Sequence, residues 1–406
     1  MEFDSLYKIY YKNGQDEWRD ILNKRRESES TISLPLKIRE YNRRPIFPSF
    51  FMYHPELVQL LLKLEDKKAK FSMLVNGVPQ IMVIHLLNNF LSNEIKASND
   101  IEGVHSSRHE IQKAIINSQN TNLRFSSIIA KYKALLQGDI DFAYHSSQEI
   151  RDLYDEIIAS EVDKADLPDG LMFRVDSVDV VSPTQKIIHR GLLPEAHIIE
   201  EMDKALGVLN DEYIQLPIRV AIFHYYFGYI HPFYDGNGRT NRFISTVYLA
   251  KSFHPLLALS LSVTVKSHRG AYYDAFKMTT SERNGGDVTT FIMEFLRLLE
   301  ESIDNVSALL EKRVSQLDEY SKKLDAFLDR QKVSDSLLRD IYYLLLQARL
   351  FSSRAGISRN EMILTCKKSR GTIHNRLQKI PKEYLVKVKR GREEAYMLKM
   401  SLLAHD

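Results

Sequence analysis

Apolar positions along this chain recur mostly three or four residues apart, so most predicted elements are helices. Leu57, Leu60, Leu61 and Leu64 begin one helix after Pro55, which ends in the charged patch Glu65–Lys70. Val83 to Ile95 is a second, after Pro79. Ile111, Ala114 and Ile115, then Ile128 to Leu136, then Ile150 to Ile158 mark three more. Glu195 to Leu209 is amphipathic, whereas Leu216 to Ile230 is apolar or aromatic on almost every face and should be buried. Phe243, Ile244, Val247 and Tyr248 stripe a helix from about Arg239; Pro255–Leu261 is apolar, Arg269–Phe276 opens another helix, and Thr289 to Leu299 is an apolar helix closing the core. Val306 to Leu328 is charged and helical, as expected of a linker or a dimer-facing helix.

Three stretches break this rhythm. Residues 1 to about 30 read as a short helix and a loose connection. Residues 31–52 hold Pro35, Pro45 and Pro48, which predicts an extended surface arm rather than regular structure. Phe173 to Val181 alternates and is rich in valine, which predicts a strand. Ser182–Gln185 turns the chain and Lys186–Arg190 returns, forming the one clear hairpin ahead of residue 231.

Composition adds bounds. At 406 residues, 44% hydrophobic and 27% charged, the chain is an ordinary globular protein of two or three domains. One cysteine, Cys366, excludes an internal disulfide and suits a reducing compartment. The start MEFDSLYKIYYK has no apolar core of a secretory signal, and no run reaches the roughly 18 apolar residues of a membrane span. A cytoplasmic location without membrane contact is therefore expected. The net charge of +3 is too small to imply a polyanionic partner for the whole chain.

The chemistry concentrates in His231-Pro-Phe-Tyr-Asp-Gly-Asn-Gly-Arg-Thr-Asn-Arg242. Pro232 pushes His231 out of the helical region. Gly236 and Gly238 free the backbone to turn consecutive N–H groups toward one point just where a helix begins, which is an anion site. Arg239 and Arg242, three apart at that N-terminus, oppose the helix dipole by roughly 0.3–1 kcal/mol per charge. A bound polyphosphate would reverse that cost. Asp235 would repel phosphates unless Mg2+ bridges them, and His231 is the side chain suited to take a proton near neutral pH. Taken singly, a His before Pro is a helix end and Asn-Gly is a turn; taken together they point to phosphoryl or nucleotidyl transfer.

HPFYDGNGRTNR resembles the Fic-family signature, His-x-Phe-x-Asp/Glu-Gly-Asn-Gly/Lys-Arg-x-x-Arg, at every fixed position. Chance agreement at that many positions has a probability of about 10^-7. The resemblance implies a protein adenylyltransferase, which moves AMP from ATP to a Ser, Thr or Tyr hydroxyl of a target protein. It makes His231 the base, Phe233 the core anchor of the loop and Asp235 the Mg2+ ligand. Gly236, Asn237 and Gly238 would hold phosphates, with Arg239 and Arg242 on the β- and γ-phosphates. Upstream, Ser98-Asn-Asp-Ile-Glu102-Gly103 is by itself a helix end with a glycine stop. It resembles the family's inhibitory motif, Ser/Thr-x-x-x-Glu-Gly/Asn, which implies that Glu102 pairs with Arg242 and excludes the γ-phosphate. By the same resemblance the hairpin, with Lys186, Ile187 and Ile188, is a flap that docks the target as an added strand. Tyr273, of the Tyr272–Tyr273 pair, would lie near the adenosine; core packing is the plainer alternative.

From Asp335 the chain changes character. Leu337–Leu346, Arg359–Leu364 and a segment from Ser369 to Lys379 read as helices, followed by a hairpin whose tip holds Arg390 and Arg392. This resembles a winged helix-turn-helix. Between Arg354 and Lys399 basic residues outnumber Glu361, Glu383, Glu393 and Glu394, with Arg370, His374, Asn375 and Lys379 on the exposed helix face. DNA or protein contact are both open.

The expected fold is mainly α: a Fic-type helical core with a small β-hairpin flap, plus a C-terminal winged helix-turn-helix. The expected domains are 1–112 with the inhibitory motif, 113–310 as the core, 311–334 as a linker and 335–406. The expected cofactors are ATP and Mg2+, and the expected partners a target protein, DNA at residues 335–406 and a second copy of the chain. Two rivals stand beside adenylyl transfer: transfer of another nucleotide or AMP removal, and a DNA-binding regulator whose core only senses nucleotide.

Overall fold

The computed structural model describes residues 3–117, 120–138, 143–181, 187–352, 356–390 and 393–403. Its N-terminal part holds α1 (Leu6–Asn13), α2 (Gln15–Glu27), β1 (Thr31–Ile38), β2 (Phe47–Met52), α3 (Pro55–Asn76) and α4 (Gln80–Ile101). Then come α5 (Arg108–Ile116), α6 (Ser126–Gln137), α7 (Ser147–Ile157), the short strands β3 (Asp179–Val181) and β4 (Ile187–Arg190), and α8 (Glu195–Leu209). The centre is α9 (Leu216–Ile230) and α10 (Asn237–Leu249), followed by α11 (Pro255–Ala258), α12 (Leu261–Ser267), α13 (Arg269–Thr280) and α14 (Thr289–Arg330). The chain ends in α15 (Ser336–Phe351), β5 (Ile357–Ser358), α16 (Arg359–Cys366), α17 (Arg370–Leu377), β6 (Leu385–Arg390) and β7 (Glu393–Leu398). The fold is mainly helical with small two- and three-stranded sheets, as the periodicity predicts.

A helix apolar on every face has to be enclosed on every face, and α9 is. It packs against α8, α10 and α14, and Phe223, Tyr225, Tyr226, Phe227 and Ile230 are all fully buried. This fixes the end of α9, and with it His231, in a rigid frame. The helix α4 crosses the same core, packing on α10, α12 and α15.

Residues 31–38 and 47–52 are regular after all. β1 and β2 pair antiparallel from Thr31↔Met52 to Ile38↔Phe47, with an irregularity between Ser33 and Lys37. Leu34, Leu36 and Ile38 alternate, buried, with exposed residues between them. A two-stranded ribbon has only edges, so Pro35 and Pro48 are tolerated. This hairpin also means that the flap is not the one hairpin ahead of residue 231. The connection expected over residues 14–30 is instead α2, anchored by the Trp18 indole N–H donating to the Arg283 carbonyl at 2.6 Å and by Arg25 paired with Asp287 at 2.8 Å.

The strand expected over 173–181 is reduced to Asp179–Val181. The reason is where the amides go. Arg174 N–H donates to the Pro232 carbonyl (3.2 Å), Val175 N–H to the Asp169 carboxylate (3.1 Å) and Asp176 N–H to the Tyr234 hydroxyl (2.9 Å). Groups bound to loops cannot join a ladder. Lys186 and the turn at 182–185 lie outside the described residues. The expected linker at 311–334 lies mostly within α14, one continuous helix of 42 residues whose Leu324, Phe327 and Leu328 are buried.

Candidate functional site

The helix α9 ends at His231, which takes up a left-handed backbone (φ 53°, ψ 64°) rather than the extended one usual before proline. The ring Nδ1 sits 3.2 Å from the Gly228 carbonyl. A carbonyl only accepts, so Nδ1 carries the proton and Nε2 keeps its lone pair. Burial, and the neighbouring His189, pull His231 down to about 3, so it is neutral throughout the physiological range. Arg174, fully buried, braces this turn. Its guanidinium donates to the carbonyls of His231 (2.9 Å), Asp176 (2.7 Å) and Leu192 (3.0 Å). Nothing in the periodicity marks Arg174, whose role depends on carbonyls supplied by three separate segments.

The loop that follows is held by its own side chains. Phe233 is fully buried, stacked on Tyr154 with ring centroids 3.8 Å apart. Asn237 accepts from the Phe233 N–H (2.9 Å) and donates to the Phe233 carbonyl (2.7 Å). The side chain expected on phosphates therefore shapes the loop instead, which leaves its backbone N–H for an anion. Gly236, at φ +82°, is the N-cap of α10, and no side chain caps this helix. A Cβ at Gly236 would also press on Ile158 and Tyr154, so glycine is needed twice over. The uncapped amides and the dipole of α10 face the same space.

The helix starts at Asn237, two residues earlier than expected, so Arg239 and Arg242 lie in its first two turns. Both are buried, and each has an acidic neighbour. Arg239 pairs with Asp235 at 3.1 Å, while its Nε is buried without a hydrogen-bond partner. Arg242 donates to Glu102 Oε1 (2.8 Å), to Ser98 Oγ (3.0 Å) and to the Ser98 carbonyl (2.9 Å). Burial, the largest single influence, would lower Arg242, but Glu102 together with Tyr272 and Tyr273 raises the guanidinium above its ordinary value. The structure thus brings Ser98, Glu102, Gly238 and Arg242 together across 140 residues of sequence. Gly103, at φ +74°, ends the turn that presents Glu102.

Glu102 lies against the glycine-framed loop at the start of α10. A Cβ added at Gly238 would collide with the Glu102 carboxylate and come within 2.9 Å of Arg242 Nη1. The carboxylate thus sits at the uncapped start of α10.

Glu94 escapes a motif search. Glu94 and Ser98 of α4 and Glu102, its C-cap, fall at intervals of four. Glu94 is fully buried on α4, accepting from the Ser262 N–H at 2.9 Å and from the Ser262 hydroxyl. Burial pushes it up to about 7, against the pull of Ser262 and Arg242. The signal available was an acid inside an apolar stripe.

Tyr272 is core: it is buried, with its hydroxyl 2.7 Å from His224 Nε2. Tyr273 is half-buried under the Arg269 guanidinium (5.5 Å), close enough to Glu102 and Arg242 to feel both charges. In the flap, Ile187 is half-buried and Ile188 exposed, and Arg190 grips Asp179 at 2.6 and 2.8 Å. With only two strands, the hairpin keeps open edges.

Residues 144–249 match the model of the Fic/DOC family. The chain contains a Fic domain. Over 106 residues it is 33% identical to a protein adenylyltransferase Fic of Culex quinquefasciatus, an alignment covering 25% of this chain and 19% of that protein. Over 112 residues it is 31% identical to one of Nematostella vectensis, covering 26% and 24%. The chain thus spans about a fifth to a quarter of the length of these curated relatives. In fold it is similar to a Fic family protein from Desulfovibrio desulfuricans, with a TM-score of 0.50 at 19% identity, covering 86% of this chain and 97% of that one. No helix among the described residues is long and apolar enough to cross a membrane.

Histidines that packing keeps neutral make the protein acid-sensitive. Burial lowers His224 to about 3 and His189 to about 4, and depresses His54 and His254 as well as His231. Such groups stay neutral in the fold but take up protons when unfolded, so stability falls as pH drops below about 6.5. For His224 alone the loss at pH 5 is roughly 2 kcal/mol. Glu94 works the other way, recovering stability as pH falls from about 7, but it is one group against five. Thermal unfolding should therefore occur several degrees lower at pH 5 than at pH 7.5; an equal or higher midpoint at pH 5 would refute the assignment of neutral buried histidines.

Proposed function

We propose that this protein is an adenylyltransferase, moving AMP from ATP to a Ser, Thr or Tyr hydroxyl of a target protein, and that Glu102 holds it inactive. The observation that carries the reading is the Glu102 carboxylate lying on Arg242 and Gly238, at the uncapped start of α10. It supports a site built for anions and filled by one from the chain itself.

The nucleotide fits on this structure's own terms. The buried, unpartnered Arg239 Nε and the uncapped amides of α10 are donors awaiting phosphate oxygens. For Mg2+ the donor set is thin: no group of three or more metal-binding side chains occurs among the described residues. Asp235 is half-exposed at the loop and supplies a single carboxylate. That suits a metal that arrives with the nucleotide and keeps phosphate and water ligands. Bound there, Mg2+ would neutralise charge developing on the leaving phosphates.

The chain's own residues do the rest. His231 Nε2 takes the proton of the target hydroxyl as the oxygen attacks the α-phosphorus. The bond from that phosphorus to the β-phosphate bridging oxygen breaks, and pyrophosphate leaves. The α10 amides and Arg239 hold the charge that builds up. The flap edge at Ile187 and Ile188 takes the target segment as an added strand, which gives affinity through main-chain bonds. Tyr273 stands beside the site for the nucleoside.

Parallel incubations with ATP labelled at the α- or the γ-phosphate test the reaction. Label should enter protein from the α position only. Label from the γ position alone would identify a kinase and end this reading.

A further inference from the structure

The C-terminal residues carry chemistry that nucleotide transfer does not use. Residues 335–406 hold fifteen Lys and Arg against seven Asp and Glu, while the remaining residues hold forty-one against forty-six. The small net charge of the chain therefore conceals a basic end on an acidic body. The bias is sharpest between Glu361 and Glu383. Here there is no acid, and the cations are Lys367, Lys368, Arg370, Arg376, Lys379 and Lys382.

The fold puts this stretch on a helix with one face free. Ile373 and Leu377 of α17 are buried, and α17 packs on α15 and α16. Ser369 caps it, accepting from the Thr372 N–H at 3.2 Å. The opposite positions, Arg370, His374, Asn375 and Gln378, are exposed, as are Lys367 and Lys368 in the turn from α16. Among the described residues, the cations of this stretch paired with an acid are Arg376 and Lys379, at the helix's far end, which meet Asp335 at 3.1 and 3.7 Å. The β6–β7 hairpin completes the unit, with strand order β5-β7-β6.

We propose that residues 335–403 form a winged helix-turn-helix that binds double-stranded DNA through α17. Lys367 and Lys368 lie on the phosphates, and Arg370, His374, Asn375 and Gln378 face the base edges. The argument is complementarity of charge and shape. A single helix fits the major groove, and the free face of α17 offers cations at one end with arginine and side-chain amides behind them. Those are the groups that pair bidentately with guanine and adenine. A lipid surface would require apolar side chains among the cations, and the exposed side chains of α17, Arg370, His374 and Asn375, are all polar. The hairpin tip at 391–392 lies outside the described residues and is no part of the proposed site. This proposal is independent of the adenylyl-transfer reading.

The test uses the full chain and a fluorescently labelled 30-base-pair duplex of random sequence, with anisotropy read at 50, 100 and 200 mM salt. Wild type should bind in the micromolar range at 50 mM and weaken steeply with salt. The triple variant Lys367→Ala, Lys368→Ala, Arg370→Ala should bind about tenfold or more weakly, with a log–log salt slope shallower by about 2 to 3. Lys63→Ala, an exposed cation on α3, should change nothing. All the substituted positions are exposed, so an unchanged thermal midpoint is expected and excludes misfolding. No binding by wild type at 50 mM salt would overturn the proposal, as would a triple variant that binds like wild type. A chain that ignores the duplex while the amides of α17 become protected by a protein partner would overturn it in favour of protein contact.

Discussion

Replacing His231 by alanine is expected to lower AMP transfer by a factor of about 10^2 to 10^4, the usual worth of a positioned base. The geometry suggests that the loss falls on the chemical step. His231 contacts the Gly228 carbonyl and the Arg174-braced turn, and no hydrogen bond joins it to Arg239 or Arg242. The phosphate-facing donors lie on α10, whose start is fixed separately by Asn237 and Phe233. ATP binding, followed by calorimetry, should therefore change less than threefold while labelling collapses. The low pKa of His231 adds a second expectation. Because the ring is already neutral at pH 6, activity should not fall between pH 8 and pH 6 through protonation of this base. Labelling by His231→Ala at more than a tenth of the wild-type rate would remove His231 from the mechanism.

Glu102→Gly should act in the opposite direction, raising labelling about tenfold, within the 5- to 150-fold range usual for coupling between sites. The pair it breaks is one-sided. Arg242 is almost wholly buried, whereas the Glu102 side chain is 27% exposed at the end of α4. Removing the carboxylate therefore leaves a buried cation short of an anion, and a γ-phosphate can supply it. Ser98 remains, through its hydroxyl and its carbonyl, to hold the guanidinium in place. The end of α4 is also secured without Glu102, by Asp100 on Lys266 at 2.7 Å and by the Val104 N–H on the Asn99 carbonyl at 2.9 Å. The variant should fold. Equal or lower labelling, with ATP affinity unchanged, would defeat the inhibitory role while leaving the transfer reaction standing.

Legibility in the sequence followed how local the cause was. The loop His231–Arg242 was readable because its properties are those of neighbouring residues: a proline break, two glycines and cations at a helix start. Helices with a clear stripe were readable for the same reason, down to the cap at Ser369. The β1–β2 hairpin was missed although Leu34, Leu36 and Ile38 alternate, because three prolines carried more weight than a short period-two pattern. The long strand expected from Phe173 failed differently. Its alternation is real, but the amides of Arg174, Val175 and Asp176 are drawn to Pro232, Asp169 and Tyr234, and no local pattern reports that.

What the sequence determined by itself is therefore the helical class and a glycine-framed loop at a helix start with the residue types it carries, since each depends on spacings of a few residues. Tertiary structure decided which donors remain free. It closed Asn237 onto Phe233, set Arg174 under the His231 turn, buried Glu94 beneath Ser262, and laid Glu102 on Arg242. Those partners lie between four and 168 residues apart. Only a packed core, with α4 crossing α10, brings the distant ones within hydrogen-bond reach and removes the water that would otherwise satisfy them.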